Sequence, residues 1–293
     1  MLPIHLNLLK ESQSTDPRAP GGSSFRLQAK IKVFEGENQS EDGAYAFFWT
    51  GQNRWREEFS IGNFQQARVG GDGGTWETRS VPFIPYRLWQ LSQALAFYAR
   101  LSPLAAQRVG KVESKVVSGV KLRCVEVSLK TYQYRDLCFA ANSPQLVLEP
   151  VIPNRWYYFS DYAPLGTREL PKKISVFDGQ SRSSELVVVE LQDSVQIDPS
   201  TFDHSSDAHW RPWCASPEPN DHLSPIYSLQ VPGLGVATVY MAFGTDGRIQ
   251  NARILKSSGP ERDALILEAL KREKWERPTC GGRPVELETV ALR

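Results

Sequence analysis

The sequence predicts an α+β protein: an N-terminal curved antiparallel sheet, or half-barrel, with an inserted helical lid, followed by a small C-terminal β-β-α-β domain. Three observations carry that expectation. Apolar and polar residues alternate from Phe25 onward in run after run, the mark of half-buried strands. One stretch, 85–101, breaks the alternation with apolar residues at three- and four-residue steps, which reads as an amphipathic helix. Beyond a proline-rich segment, the last 60 or so residues form a self-contained strand, turn, strand, helix, strand pattern.

Taken in order, residues 1–24 read as a short helix and then a loose polar stretch ill suited to a core. Phe25, Leu27, Ala29, Ile31 and Val33 alternate with Arg26, Gln28, Lys30 and Lys32 as the first strand. Residues 43–50 follow with Tyr45, Phe47 and Trp49 on one face, then 54–61 and 65–69. Between them lie Gly-rich turns, among them Gly70, Gly71, Asp72, Gly73 and Gly74, so the pattern is a meander of hairpins. In 85–101 the apolar stripe is Leu88, Leu91, Leu95, Tyr98 and Leu101, with Trp89 and Phe97 beside it. Strands resume at 112–117 and recur to 191. So many strands would curl into a curved sheet or incomplete barrel rather than stay flat. The domain spans 25–203, and a Pro-rich linker occupies 204–232.

The C-terminal unit, 233–293, opens with the β-branched run from Gly235. Asp246-Gly247 supplies a type I′ hairpin signal. Ser258 and Glu261 stand at capping-box spacing before a helix over 261–275 that is expected to bury Leu265, Leu267 and Leu270, with Glu268 and Arg272 as a surface pair. The helix stops before Pro278, and 284–292 is a final strand.

The formal net charge is +1 without a long run of one sign, which argues against a nucleic-acid surface or a polybasic membrane anchor. No apolar run reaches the ~18 residues of a membrane-spanning helix. The first residues have neither the basic start nor the apolar core of an intact signal peptide, so the chain is cytoplasmic or has lost a targeting segment. The four cysteines, Cys124, Cys138, Cys214 and Cys280, form no Cys-x-x-Cys pair. A hairpin turning near Thr131 sets Cys124 opposite Cys138, and Cys214 with Cys280 suits a second disulfide. Four buried thiols are the alternative. Pairing favours an oxidising compartment, hence the periplasm or cell envelope.

No nucleophile elbow, phosphate loop or zincin motif is present, so no enzyme activity and no cofactor is expected. The cluster Asp203, His204, Asp207, His209 and Cys214 holds competent zinc ligands, but it lies in a polar segment unsuited to a helix, and no metal site is assigned.

Two resemblances add to this. Gly235 to Met241, Asp246-Gly247-Arg248-Ile249, Lys256-Ser257-Ser258-Gly259, the helix 264–270, Trp275, Pro278 and Gly281-Gly282-Arg283-Pro284-Val285, in that order, resemble the TonB C-terminal domain family over about 60 residues. The resemblance implies a periplasmic domain, active in transport across the envelope, that binds an envelope protein or an extended TonB-box-like peptide on a sheet edge, here near Val285, Leu287, Thr289 and Val290 or along Ile249–Lys256. More loosely, the element order of 25–203, with Asn53, Arg54, Trp55, Arg56, Glu57, Glu58 and Phe59 and the inserted helix, resembles the LolA/LppX family of lipoprotein-binding half-barrels. That resemblance implies an acyl-chain or lipoprotein carrier. Its cavity would be lined by Phe47, Trp49, Trp55 and Phe59 and closed by Trp89, Leu95 and Phe97, with Arg54 or Arg56 holding the lid through its backbone carbonyls. The alternatives are that the aromatics fill a core and the arginines pair with Glu57 or Glu58 at the surface.

Overall fold

The structure, a computed structural model, describes residues 8–9, 11–12, 18, 22–34, 39–50, 54–71, 74–81, 84–96, 106–129, 132–151, 155–212, 237–272, 275, 277–280 and 282–292. The chain divides into two compact units, one of residues 1–72 and 77–208, the other of 73–76 and 209–293.

Twelve described strands, all in the first unit apart from residues 74–76 of β5, form one open antiparallel sheet. They are β1 (Phe25–Phe34), β2 (Ser40–Trp49), β3 (Trp55–Ile61), β4 (Phe64–Gly71), β5 (Gly74–Arg79), β6 (Ala106–Val117), β7 (Val120–Leu129), β8 (Tyr132–Ala140), β9 (Leu146–Val151), β10 (Arg155–Leu165), β11 (Arg168–Asp178) and β12 (Ser181–Asp193). Their order is β5-β4-β3-β2-β1-β12-β11-β10-β9-β8-β7-β6, two meanders joined where β1 lies against β12. The turns follow from local chemistry. Ser118 and Gly119 both take positive φ between β6 and β7, as a two-residue type I′ hairpin requires.

Alternation decides which face is buried. Along β1, Phe25, Leu27, Ala29, Ile31 and Val33 are buried while their neighbours are not. Phe59 of β3, Val125 of β7, Phe139 of β8 and Val176 of β11 join these in one continuous core. Strands far apart in the order share a core only if the sheet curls around it, so this is a curved sheet and not a flat one.

The helix α1 (Tyr86–Ala96) packs on β11, β12 and β1 and fills the inner face. Leu88, Leu91 and Ala94 are wholly buried there. The helix is shorter than the expected 85–101; Phe97, Tyr98 and Leu101 lie outside the described residues. Leu8 and Leu9, in a short helical stretch, also belong to this core. The N-terminal segment thus contributes side chains to the interior, which its polar continuation did not suggest.

Cys124 and Cys138 stand directly opposite on β7 and β8 and are disulfide-bonded. They project from the face opposite to Val125 and Leu137, within a second small core of Leu122 and Leu148. Cys214 and the side chain of Cys280 lie outside the described residues, and with them the second expected disulfide.

The second unit contains β13 (His209–Pro212), β14 (Thr238–Phe243), β15 (Ile249–Lys256), α2 (Pro260–Arg272), the short pair β16 (Thr279–Cys280) and β17 (Arg283–Pro284), and β18 (Leu287–Leu292). Three strands pair in the order β15-β14-β18. Three local expectations change. The β14–β15 turn is a three-residue loop, with Gly244 N–H donating to Arg248 O (2.9 Å) and Gly247 alone at positive φ, rather than a two-residue type I′ turn. The start of α2 is capped by Asp263, whose carboxylate accepts from the Ser258 amide (3.0 Å), not by Glu261, because the helix begins at Pro260. Its buried face is Ile266 and Leu270, whereas Leu265 is 69% exposed. Glu268 and Arg272 do pair, at 3.4 Å.

Candidate functional site

The inner face of the first unit is where an apolar cavity and buried polar chemistry meet. Between the end of α1 and the sheet lies a cavity of about 50 Å³. Its wall is apolar: Phe25 and Leu27 of β1, Phe47 of β2, Leu170, Pro171 and Ile174 of β11, Leu186 and Val188 of β12, and Leu95 of α1. The two polar residues in it are Arg18 and Tyr45.

Of the seven residues expected to line a lipid cavity, Phe47 and Leu95 do so. Trp49 and Phe59 are buried in the same core, and Trp55 and Trp89 pack against it. Phe97 lies outside the described residues. The aromatics form a run: Phe47 stacks on Trp49 with centroids 6.5 Å apart and on Trp55 at 6.3 Å. The contributions of β11 and β12 were not singled out from sequence. In β12 Leu186 to Val189 are four consecutive apolar residues, of which Leu186 and Val188 face inward, so residue type left the buried face open and only the pairing partner settles it.

Two polar arrangements hold this region. The first anchors α1. Gln90, wholly buried in the middle of the helix, bonds to Ser183, with its amide nitrogen donating to the Ser183 hydroxyl. The Gln90 oxygen then accepts from Arg155 Nε (3.1 Å) and from the Tyr86 hydroxyl (3.0 Å). Arg155 also donates through Nη2 to that hydroxyl (2.7 Å) and lies over the Trp89 ring, 5.4 Å from its centroid. At the far end of the helix Arg18 Nη1 donates to the Leu95 carbonyl (3.3 Å).

That last contact corrects an expectation. Arg54 and Arg56 do not hold the lid. Arg54 lies over Phe202 at 4.9 Å, and Arg56 donates to the carbonyls of Thr201 (3.2 Å) and Asp203 (3.0 Å) at the end of the 3-10 helix Pro199–Phe202. Arg56 also pairs with Glu58 at 2.5 Å. Arg56 leaves β3, and Arg54 the position just before it, on the side where that helix docks, while Arg18 reaches the helix end from the N-terminal segment.

The second arrangement is an inward-facing row of charges on β3, β4 and β5. Glu57 and Arg68 are direct cross-strand partners and form an ion pair. The Tyr45 hydroxyl donates to Glu57 Oε1 (3.0 Å). Glu77 pairs with Arg79 and accepts from Gln66 Nε2 (2.9 Å). Glu57, Gln66 and Glu77 are all buried, where an unpaired charge would be costly. Burial and the neighbouring Glu57 charge hold the Tyr45 hydroxyl well above its ordinary pKa. Burial disfavours the Arg68 cation, but Glu57 and Glu77 more than offset this and its pKa is raised.

Elsewhere, Asp203, His204, Asp207 and His209 lie in an exposed stretch, and Cys214 is outside the described residues. Among the described residues no group of three or more His, Cys, Asp or Glu could hold a metal ion. The peptide-binding edge is also redrawn. Val285 is buried between β17 and β18, with its amide already donated to Pro278 O (2.9 Å), so it offers no donor to a partner. Leu287, Thr289 and Val290 lie on β18, paired with Phe243, Met241 and Tyr240 of β14.

No protein-family model matches the chain, and no curated protein does. Similar solved structures include a LolA superfamily protein from Nitrosomonas europaea, at 12% identity and TM-score 0.48, covering 68% of this chain and 97% of that one. An outer membrane lipoprotein-sorting protein domain from Vibrio parahaemolyticus gives 9% identity and TM-score 0.46, covering 68% and 96%. A DUF1329 family protein from Desulfovibrio piger gives 10% identity and TM-score 0.47, covering 68% and 96%. No family model for a TonB C-terminal domain matches the chain. The TonB-type function expected from the C-terminal unit is therefore withdrawn. Among the described residues no helix is long and apolar enough to cross a membrane.

Proposed function

We propose that this chain is a non-enzymatic cell-envelope binding protein that carries an acyl chain on the inner face of its curved sheet, beneath α1. The observation that carries the proposal is the apolar cavity between Leu95 of α1 and the inward side chains of β1, β11 and β12.

At about 50 Å³ the cavity is well below the ~300 Å³ of a small-molecule site, so loading requires displacement of side chains or of α1. The polar contacts favour the second route. Gln90, Tyr86 and Arg155 fasten the first half of the helix through several bonds, while the Arg18 to Leu95 carbonyl bond ties its last turn. Swinging that last turn outward exposes Phe47, Phe25 and Ile174 to an incoming chain without disturbing the Gln90 cluster. An acyl chain then replaces Leu95 against the sheet, and each buried methylene contributes about 0.8 kcal/mol. The Cys124–Cys138 disulfide supports an oxidising compartment.

Native mass spectrometry of the protein purified from a bacterial envelope tests this. An acylated small molecule should co-purify and be released by organic solvent. Protein that carries no such mass, and from which a fluorescent acyl probe neither binds nor is displaced, would overturn the proposal.

A further inference from the structure

The strand β6 ends the sheet: among the described residues it pairs with β7 alone, and its other side is bare. A bare edge offers peptide groups to any strand that can lie along it in register. Which groups it offers follows from the turn. Val117 and Val120 flank the two-residue turn of Ser118 and Gly119 and exchange hydrogen bonds with each other. Counting back along the ladder, Lys115 and Glu113 turn their N–H and C=O groups to β7, while Val116, Ser114 and Val112 turn theirs outward. The register is unbroken from Val112 to Val117 and shifts between Val109 and Val112, which bounds the regular edge.

The side chains of this stretch divide between the two faces. Val112 packs against the main core, and Val116, on the same face, is 72% exposed. Glu113 and Lys115 share the other face. Lys115 pairs with Asp136 (2.5 Å), whereas Glu113 is exposed and forms no ion pair among the described residues.

Turned end for end, the segment Val112, Glu113, Ser114, Lys115, Val116 complements itself. In an antiparallel pairing centred on Ser114, each Ser114 meets Ser114 of a second copy, Val112 meets Val116, and Glu113 meets Lys115. The backbone agrees with this register, because outward-turned residues then face outward-turned residues and exchange hydrogen bonds. The two charged pairs fall at the positions between, where facing Cα atoms approach to about 4.5 Å and opposite charges stabilise the ladder. A slip of two residues either way sets Glu113 against Glu113 or Lys115 against Lys115, which is destabilising.

We propose that two copies of this chain associate through β6, about a two-fold axis at Ser114, joining their sheets into one. Each exposed Val116 is then covered by Val112 of the second copy, and each Glu113 gains a cation. The contact is isologous, so it closes at two copies and leaves no edge for a third. It is independent of any ligand on the inner face.

Sedimentation velocity of the intact chain over a concentration series tests this. The parent should show a reversible monomer–dimer equilibrium. Glu113→Lys and Lys115→Glu, each alone, set like charges opposite and should weaken association at least about ten-fold. An equimolar mixture of the two variants should recover the dimer, since every facing pair in the mixed species is again of opposite sign. Ser114→Pro removes an outward N–H without touching the β7 ladder and should abolish association while the fold, followed by circular dichroism, is retained. A parent that stays monomeric, a mixture that fails to recover, or a dimer that survives Ser114→Pro overturns the proposal. If Lys115→Glu fails to fold beside Asp136, Glu113→Lys and Ser114→Pro decide.

Discussion

The indole of Trp55 occupies the space where a side chain on Gly70 would stand. The two residues are direct cross-strand partners on β3 and β4, and a Cβ built on Gly70 would overlap the Trp55 ring atoms Cε2, Nε1 and Cζ2. Trp55 in turn stacks with Phe47, which lines the cavity. The glycine therefore positions an aromatic wall two strands away from the ligand space.

Gly70→Ala should force Trp55 off its ring position and destabilise the protein by about 1–3 kcal/mol. Urea unfolding with tryptophan emission as the probe checks both parts, since the indole environment changes with the stability. A variant as stable as the parent, with unchanged emission, would show that Trp55 has room to give.

Replacing Gln90 by Leu keeps the volume but removes the centre of the Tyr86, Arg155 and Ser183 cluster. The Arg155 and Tyr86 donors lose their acceptor and the Ser183 hydroxyl loses its donor, at a cost of about 2–3 kcal/mol. Hydrogen exchange across α1 should quicken in the variant, most in its first half where Gln90 acts.

The raised Tyr45 pKa makes a prediction about alkaline stability. The folded value lies above the ordinary 10.0, so the unfolded chain sheds this proton first. The corresponding stability is complete below pH 10 and is lost as pH rises toward the folded value. Denaturation midpoints measured between about pH 8 and 11 should fall more steeply for the parent than for Tyr45→Phe.

On α2, Ile266→Ala should cost about 2–4 kcal/mol and Leu265→Ala less than about 0.5 kcal/mol. Thermal unfolding of the two variants distinguishes the observed buried face from the one centred on Leu265.

Removing the disulfide by Cys124→Ala with Cys138→Ala should cost about 3 kcal/mol, given their sequence separation of 14. Adding reductant to the parent should have little effect under native conditions, because both sulfurs are buried on the far side of β7 and β8.

How much of this was readable beforehand differs from element to element. The β1 alternation from Phe25 to Val33 determined both the strand and its buried face, because period two admits one solution. Cys124 and Cys138 were readable as partners because the hairpin turn lies midway between them. Leu265, Ile266 and Leu267 are three consecutive apolar residues, which leave the phase of a helix open, and packing against β15 chose Ile266. The Glu57 and Glu58 pair hid an inward charge, since only the cross-strand partner Arg68 makes a buried glutamate tolerable, and register is a long-range property. Gln90 looked like a solvent-facing residue of an amphipathic helix; its partners Arg155 and Ser183 lie 65 or more positions away. The C-terminal motif order was clear as a pattern of elements, but the function inferred from it did not survive comparison.

The seam between β1 and β12 has a consequence for how the chain is made. Each meander consists of neighbours in sequence, zipped by short turns, but Phe25 pairs with Asp193, so the ladder joining the halves spans nearly the whole unit. During synthesis the first meander emerges with β1 as a bare edge and must wait for more than a hundred further residues before its second neighbour exists. That interval is the window in which an extended segment of another molecule can take the place of β12, and a chaperone that shields β1 during translation should raise the yield of folded protein more than one added after release.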